Sequence, residues 1–128
     1  FLGSSGEGKD VLVIDDMSSS GESMLEVAKQ LKERKARRGF VCTTFGLFTD
    51  GLAKFDEYYE KGYLYKVVTT NLNYRTPEML KRPYYAEADM TKYLASIIDH
   101  VNHDVSIGSI QSPTEKIRDL LDVLKKKS

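Results

Sequence analysis

The sequence predicts an α/β fold: a mostly parallel sheet of about four strands with helices on both faces. Three observations carry that expectation. Apolar runs too short for buried helices recur along the chain, "VLVID", "FVCTTFGLF" and "YKVVTTN", the pattern of strands covered on both sides. Between the first two lies a stretch whose apolar residues recur at helical spacing, Met24, Leu25, Val27, Ala28 and Leu31. The resulting order of strand, helix, strand, helix, strand, strand, helix, helix is the alternation of a parallel sheet joined by right-handed crossovers.

Taken in order, residues 1–9 read as a flexible lead-in, because "GSSGEG" has the composition of a connector. The start "FLGSSGEGKD" has neither the basic residues nor the apolar core of a secretory leader. Residues 10–128 read as one domain. Its first strand is "VLVID" (residues 11–15), and the helix that follows ends in "KERKARRG". Basic residues there suit the negative end of the helix dipole, and Gly39 stops the element. "FVCTTFGLF" (residues 40–48) is the second strand, leading into a loop at Gly46. Leu52, Phe55 and Tyr59 share one face of a shorter helix closed by Gly62, and "YKVVTTN" is the third strand. Pro77 and Pro83 fence a short helical turn, and "YYAEAD" is a fourth, shorter strand. From Met90 an amphipathic helix turns Tyr93, Leu94, Ile97, Ile98 and Val101 inward. Ser112 then caps a final helix with Pro113 at its first position and Ile117, Leu120, Leu121 and Leu124 on one face.

At 128 residues the chain is long enough to bury a sizeable core. Lys plus Arg equals Asp plus Glu, 19 of each, so no overall charge argues for nucleic acid or a membrane surface. No apolar run approaches the roughly 20 residues that span a bilayer. The single cysteine, Cys42, excludes an internal disulfide and fits a reducing compartment. A cytoplasmic location is therefore expected.

The chemistry concentrates in "VLVIDDMSSSGESM", residues 11–24. Asp15 and Asp16 close a strand at its carboxyl end, where ligands gather in open α/β sheets. A turn of small, hydroxyl-bearing residues then enters a helix. Backbone N–H groups at a helix start are unpaired and carry the positive end of the dipole, so a phosphate fits there. Ser18, Ser19, Ser20 and Ser23 add hydroxyl donors, and Gly21 lets the main chain approach an anion closely. Carboxylates do not bind phosphate, but they accept hydrogen bonds from sugar hydroxyls or hold a hydrated magnesium ion. A ligand with a phosphate at one end and a vicinal diol at the other, such as ribose 5-phosphate, matches both halves. Two plainer readings compete. Ser20 with Ser23, and Asp16, can serve only as helix and turn caps. A signalling receiver domain also opens with an acidic strand end, but it needs an Asp at the end of its third strand, where this chain has "VVTTN".

On these residues "VLVIDDMSSSGES" resembles the phosphoribosyl-binding signature of the type I phosphoribosyltransferase fold. With "GKDVLVIDDM", "FVCTTFGLF" and "VVTTN", residues 7–128 resemble more narrowly the C-terminal part of ribose-phosphate diphosphokinase. The resemblance implies transfer of the diphosphoryl group of ATP to O1 of ribose 5-phosphate, with magnesium, giving phosphoribosyl pyrophosphate and AMP. It makes Asp15 and Asp16 the acids on the ribose hydroxyls, and Ser18, Ser19, Ser20, Gly21, Glu22 and Ser23 the loop around the 5-phosphate. It also implies a homo-oligomer. Where the family loop often carries Asp-Thr, small residues and a further Thr, this chain keeps hydroxyls as serine. Glu22 departs from the pattern, and its carboxylate is expected to point away from a bound phosphate, in the first helical turn. Many members have His where Phe45 stands, so no role passes to Phe45. The family's ATP-binding, magnesium-binding and catalytic basic residues precede the matching segment. No catalytic residue and no metal ligand is therefore assigned within this chain, which alone is expected to be inactive.

Other candidates carry less. His100 and His103, three apart, lack a third ligand, and Cys42 reads as inert core. Arg75 reads as a structural or subunit contact, and the tyrosines of "DEYYEKGYLY" as packing. Two alternatives to the diphosphokinase remain: a non-catalytic regulatory or scaffold module of the same fold, and a phosphoribosyltransferase.

Overall fold

The computed structural model describes residues 6–126; residues 1–5 of the lead-in lie outside them. The chain divides into two compact units, one running to Asp89 and the other starting at Met90. The first unit contains β1 (Asp10–Ser18), α1 (Glu22–Glu33), β2 (Arg38–Gly46), α2 (Ala53–Glu60), β3 (Lys66–Thr70), α3 (Pro77–Leu80) and β4 (Tyr85–Ala88). The second contains α4 (Thr91–Asn102), α5 (Gly108–Gln111) and α6 (Thr114–Lys125).

The four strands form one sheet in the order β1-β2-β3-β4, and all three pairings are parallel. Side chains alternate between faces along each strand, so the register sorts them into rows. Val13, Val41, Val67 and Tyr85 are aligned across the sheet. Val41 and Val67 lie in the core with Met24, Leu25 and Ala28 of α1, Phe55 of α2, Leu64 and Tyr84, and Val13 and Tyr85 pack against it. One residue further, Ile14, Cys42, Val68 and Ala86 form the neighbouring row, on the opposite face.

That second row departs from the sequence reading of β1 as a strand covered on both faces. Leu12 is 55% and Ile14 74% exposed. Topology supplies the reason. Right-handed crossovers that always step the same way along a sheet leave their helices on one side, and the order β1-β2-β3-β4 steps one way only. Helix α1 accordingly packs on β1, β2 and α2.

Polar ties fix the ends of the strands. Asp10, at the start of β1, accepts from Arg37 at 2.8 and 2.7 Å and from Arg38, and both guanidiniums hold its carboxyl well below the usual carboxylate range. Arg38 also lies over the rings of Tyr65 (4.9 Å) and Phe40 (5.6 Å). Before β4, the Tyr84 hydroxyl donates to Asp56 Oδ1 at 2.7 Å and Arg82 donates to Asp56 Oδ2 at 2.8 Å. Of the lead-in, Gly8 donates its N–H to the Lys35 carbonyl at 2.9 Å.

Two further expectations are corrected in the second unit. None of the residues of α4 is buried; Leu94, Ile98 and Val101, read as inward, are exposed, as are Ile117, Leu120, Leu121 and Leu124 of α6. Amphipathic spacing marks which face of a helix is apolar without stating what covers it. Helix α6 also starts one residue later than read: Pro113 occupies the cap position, and Ser112 ends the short α5.

Candidate functional site

All four strands run the same way, so Ser18, Gly46, Thr70 and Ala88 close them along a single carboxyl edge. The acid pair and the serine turn lie there. Asp15 is half-buried and Asp16 exposed. Each carboxylate accepts from the next amide through its Oδ1, Asp15 from Asp16 N–H at 2.9 Å and Asp16 from Met17 N–H at 2.8 Å. These local bonds orient both groups and leave the second oxygen of each for an outside donor.

The turn is shaped by packing. Gly21 sits at the cap position of α1 in the left-handed conformation, φ 81°, and has no side chain to cap the helix. A Cβ there would lie 2.2 Å from Cζ of Phe55, so only glycine fits. The first intrahelical bond runs from Leu25 N–H to the Gly21 carbonyl, 3.0 Å. The amides of Ser23 and Met24 thus have no carbonyl of their own helix to bond, and the Glu22 amide has only a long contact, 3.4 Å, to Ser20 Oγ. Ser19 and Ser23 are exposed and Ser20 is half-buried. Ser18 is 4% exposed, and its hydroxyl is buried with no hydrogen-bond partner.

Glu22 lies in the first turn of α1. Its carboxylate is bonded to Lys54 of α2, and that ammonium lowers its pKa while Glu22 raises that of Lys54. The negative charge nearest the turn is thereby paired. Sequence reasoning did not find Lys54, which stands far away in the chain.

It also missed the support behind the turn. Leu47 N–H donates to the Ser18 carbonyl at 2.8 Å, Thr49 N–H to the Ser19 carbonyl at 3.0 Å, and the hydroxyls of Ser19 and Thr49 are 3.5 Å apart. Asn73, beyond β3, donates Nδ2 to the Gly46 carbonyl at 2.8 Å. The available signal was positional: Thr49 and Asn73 follow strands at the same carboxyl edge.

The other candidates take quieter places. Arg75 pairs with Glu87 of β4. Cys42 is half-buried on β2, and burial pushes its thiol up. His100 and His103 each place Nδ1 2.8 Å from a carbonyl one turn back, Ser96 and Asp99. Among the described residues no group of three or more His, Cys, Asp and Glu side chains is placed to hold a metal ion. The tyrosines pack on other rings: Tyr58 on Tyr63 at 5.5 Å, Tyr59 on Tyr84 at 5.3 Å and Tyr65 on Phe40 at 5.2 Å. No described helix is long and apolar enough to cross a membrane.

The site therefore joins an open helix start, a hydroxyl-rich turn and two oriented carboxylates, which suit an anion beside a polyol. No protein-family profile matches the chain. Curated proteins do. A ribose-phosphate pyrophosphokinase of Shewanella oneidensis is 30% identical over 106 residues, 83% of this chain and 33% of the relative. The Vibrio cholerae protein of the same name is 28% identical over 104 residues, 81% of this chain and 32% of that one. Among solved structures, phosphoribosylpyrophosphate synthetase from Mycobacterium smegmatis superposes with a TM-score of 0.70 at 22% identity, over 79% of this chain and 33% of its own. The chain spans about a third of the length of the curated relatives it matches. Over most of its own length it is thus similar in sequence to one third of a family of enzymes, the ribose-phosphate pyrophosphokinases, and it shares the fold of a phosphoribosylpyrophosphate synthetase.

Proposed function

We propose that this chain is the part of a ribose-phosphate diphosphokinase that binds ribose 5-phosphate and the product phosphoribosyl pyrophosphate. One observation carries the reading: at one carboxyl edge of the sheet, amides at the start of α1 lack helical partners, and Asp15 and Asp16, shortly before the turn in β1, each keep one oxygen outside their local bond. The 5-phosphate lies against the turn of residues 18–23, taking hydrogen bonds from main-chain N–H groups and from the hydroxyls of Ser19, Ser20 and Ser23. Ser18, buried with an unpartnered hydroxyl, shapes the turn from beneath, and Gly21 leaves room for the Phe55 ring behind it. Glu22 stays paired with Lys54. Asp15 and Asp16 accept from the ribose hydroxyls and fix the sugar.

In the reaction, O1 of the sugar bonds to the β-phosphorus of ATP, the bond from that phosphorus to the oxygen bridging to the α-phosphate breaks, AMP leaves and the O1 proton is lost. The residues described here bind and orient the acceptor. No Lys or Arg stands within residues 18–23 to offset charge on a transferring diphosphoryl group. The chain alone is accordingly inactive, with ATP and the catalytic groups handled by the remainder of the complete enzyme. Magnesium would neutralise phosphate charge there. Two carboxylates already oriented by local amides suit hydroxyl donors better than a metal cage, so its ligands are placed outside this chain. A homo-oligomer in the cytoplasm completes the reading, the location resting on the lone cysteine.

Titration followed by NMR tests it. Ribose 5-phosphate is expected to bind in the millimolar range, and Asp15→Asn with Asp16→Asn to weaken it by about tenfold or more, since hydrogen bonds to charged groups are lost. Plain phosphate should bind the double variant no worse. Equal affinity of the unsubstituted chain for phosphate and for ribose 5-phosphate would remove the acids' role. It would favour the alternative, a non-catalytic module of this fold. AMP release from ATP by this chain would disprove the inactivity.

A further inference from the structure

We propose that Asn73 is a positioning residue for the serine turn, acting through residues 46–49; the inference rests on the phosphate-binding reading above. Residues 46–49 meet the turn directly at its start and, through Phe55, at its end. At the near end Gly46 is the register partner of Ser18, and the amides of Leu47 and Thr49 hold the carbonyls of Ser18 and Ser19. At the far end the Phe48 ring meets the Phe55 ring edge-on at 5.0 Å, and Phe55 is the ring that leaves no room for a side chain on Gly21.

Held in this way, the segment is also strained. Phe48 has φ 50°, in the left-handed region that a bulky residue enters only when its surroundings over-determine it. Gly46 is hemmed in as well: a Cβ there would lie 2.6 Å from the Phe48 ring and 2.8 Å from the Thr69 methyl. The side-chain bond that anchors this strained segment to the third strand's loop is Asn73 Nδ2 to the Gly46 carbonyl, 2.8 Å. The other end of the same amide, Oδ1, is buried without a partner. An unpaired buried acceptor costs free energy, so the Asn73 amide is held for its donor. Fixing the Gly46 carbonyl fixes the amides of Leu47 and Thr49, and through them the two residues that begin the phosphate turn.

The test compares Asn73→Ala and Asn73→Gln in the full 128-residue chain, with inorganic phosphate as the probe. Alanine is expected to weaken phosphate binding by about five- to tenfold, the scale of one lost hydrogen bond. Amide hydrogen exchange should speed up at Leu47 and Thr49 and stay unchanged at Val41 in the middle of β2. Glutamine keeps the donor and should recover part of the affinity. Unchanged phosphate affinity in Asn73→Ala overturns the inference. So does faster exchange that extends to Val41, the mark of a merely structural role. Failure of the unsubstituted chain to bind phosphate sinks the functional reading and any positioning role with it. Binding that is indifferent to Asn73→Ala sinks this inference alone.

Discussion

Gly21 concentrates two demands on one residue. Its φ of 81° costs a side-chain-bearing residue about 1–2 kcal/mol, and a Cβ would drive into the Phe55 ring, an overpacking cost of about 1–3 kcal/mol. Gly21→Ala is therefore expected to lower unfolding stability by about 2–4 kcal/mol in urea titration, and a loss under half a kcal/mol would show that Phe55 yields freely. The next residue poses an electrostatic question. On the proposed reading Glu22 stands beside an anion site, and the carboxylate that would repel the anion is paired with Lys54. Lys54→Gln should weaken phosphate binding by about two- to fivefold, and adding Glu22→Gln should restore it, since the repelling charge is then gone. Isothermal titration of the single and double variants at low salt reads the coupling. Phosphate affinity unchanged by Lys54→Gln would mean the pair has no bearing on the turn.

At the level of elements, the strands and α1 were legible because their signals are local. "VLVID" and "FVCTTF" are apolar runs, and the acid pair with its serine turn sits where a parallel strand must end. What escaped reading depends on distant partners. Lys54 reaches Glu22 from another helix, Asn73 reaches Gly46 from beyond β3, and nothing in the pattern of α4 or α6 says whether its apolar face is covered. The tie at the start of β1 belongs to the same class. Asp10 anchors the strand to Arg37 and Arg38, which hold its carboxyl below the ordinary range. A carboxylate with a lowered folded pKa adds stability above its unfolded value, about 4, and that stability drains away as pH falls through the folded value. Glu22 and Glu57, lowered by Lys54 and Lys61, act in the same direction. Acid unfolding should thus begin below about pH 4, and Asp10→Asn should flatten the pH dependence of the thermal midpoint there. An unchanged slope would mean that Asp10 is no better paired in the folded chain than in the unfolded one.

For the whole molecule, strand order has the widest consequence. A sheet whose crossovers all step one way places its helices on one side, so the two faces of β1 and β2 should answer substitution differently. Val41, 1% exposed in the core row, makes the contacts that hold α1 and α2 to the sheet. Val41→Ala should cost about 2 kcal/mol, from lost burial together with the cavity left behind. Ile14, in the neighbouring row and 74% exposed, has little burial to lose. Ile14→Lys should leave the urea midpoint nearly unchanged. Because Leu12, Ile14 and Met17 together give β1 a large exposed apolar content, the same lysine should also reduce self-association in sedimentation velocity. A stability loss at Ile14 comparable to that at Val41 would show that the second face is packed as tightly as the first. The one-way topology would then be the wrong account of why an unbroken apolar strand stands exposed beside the serine turn.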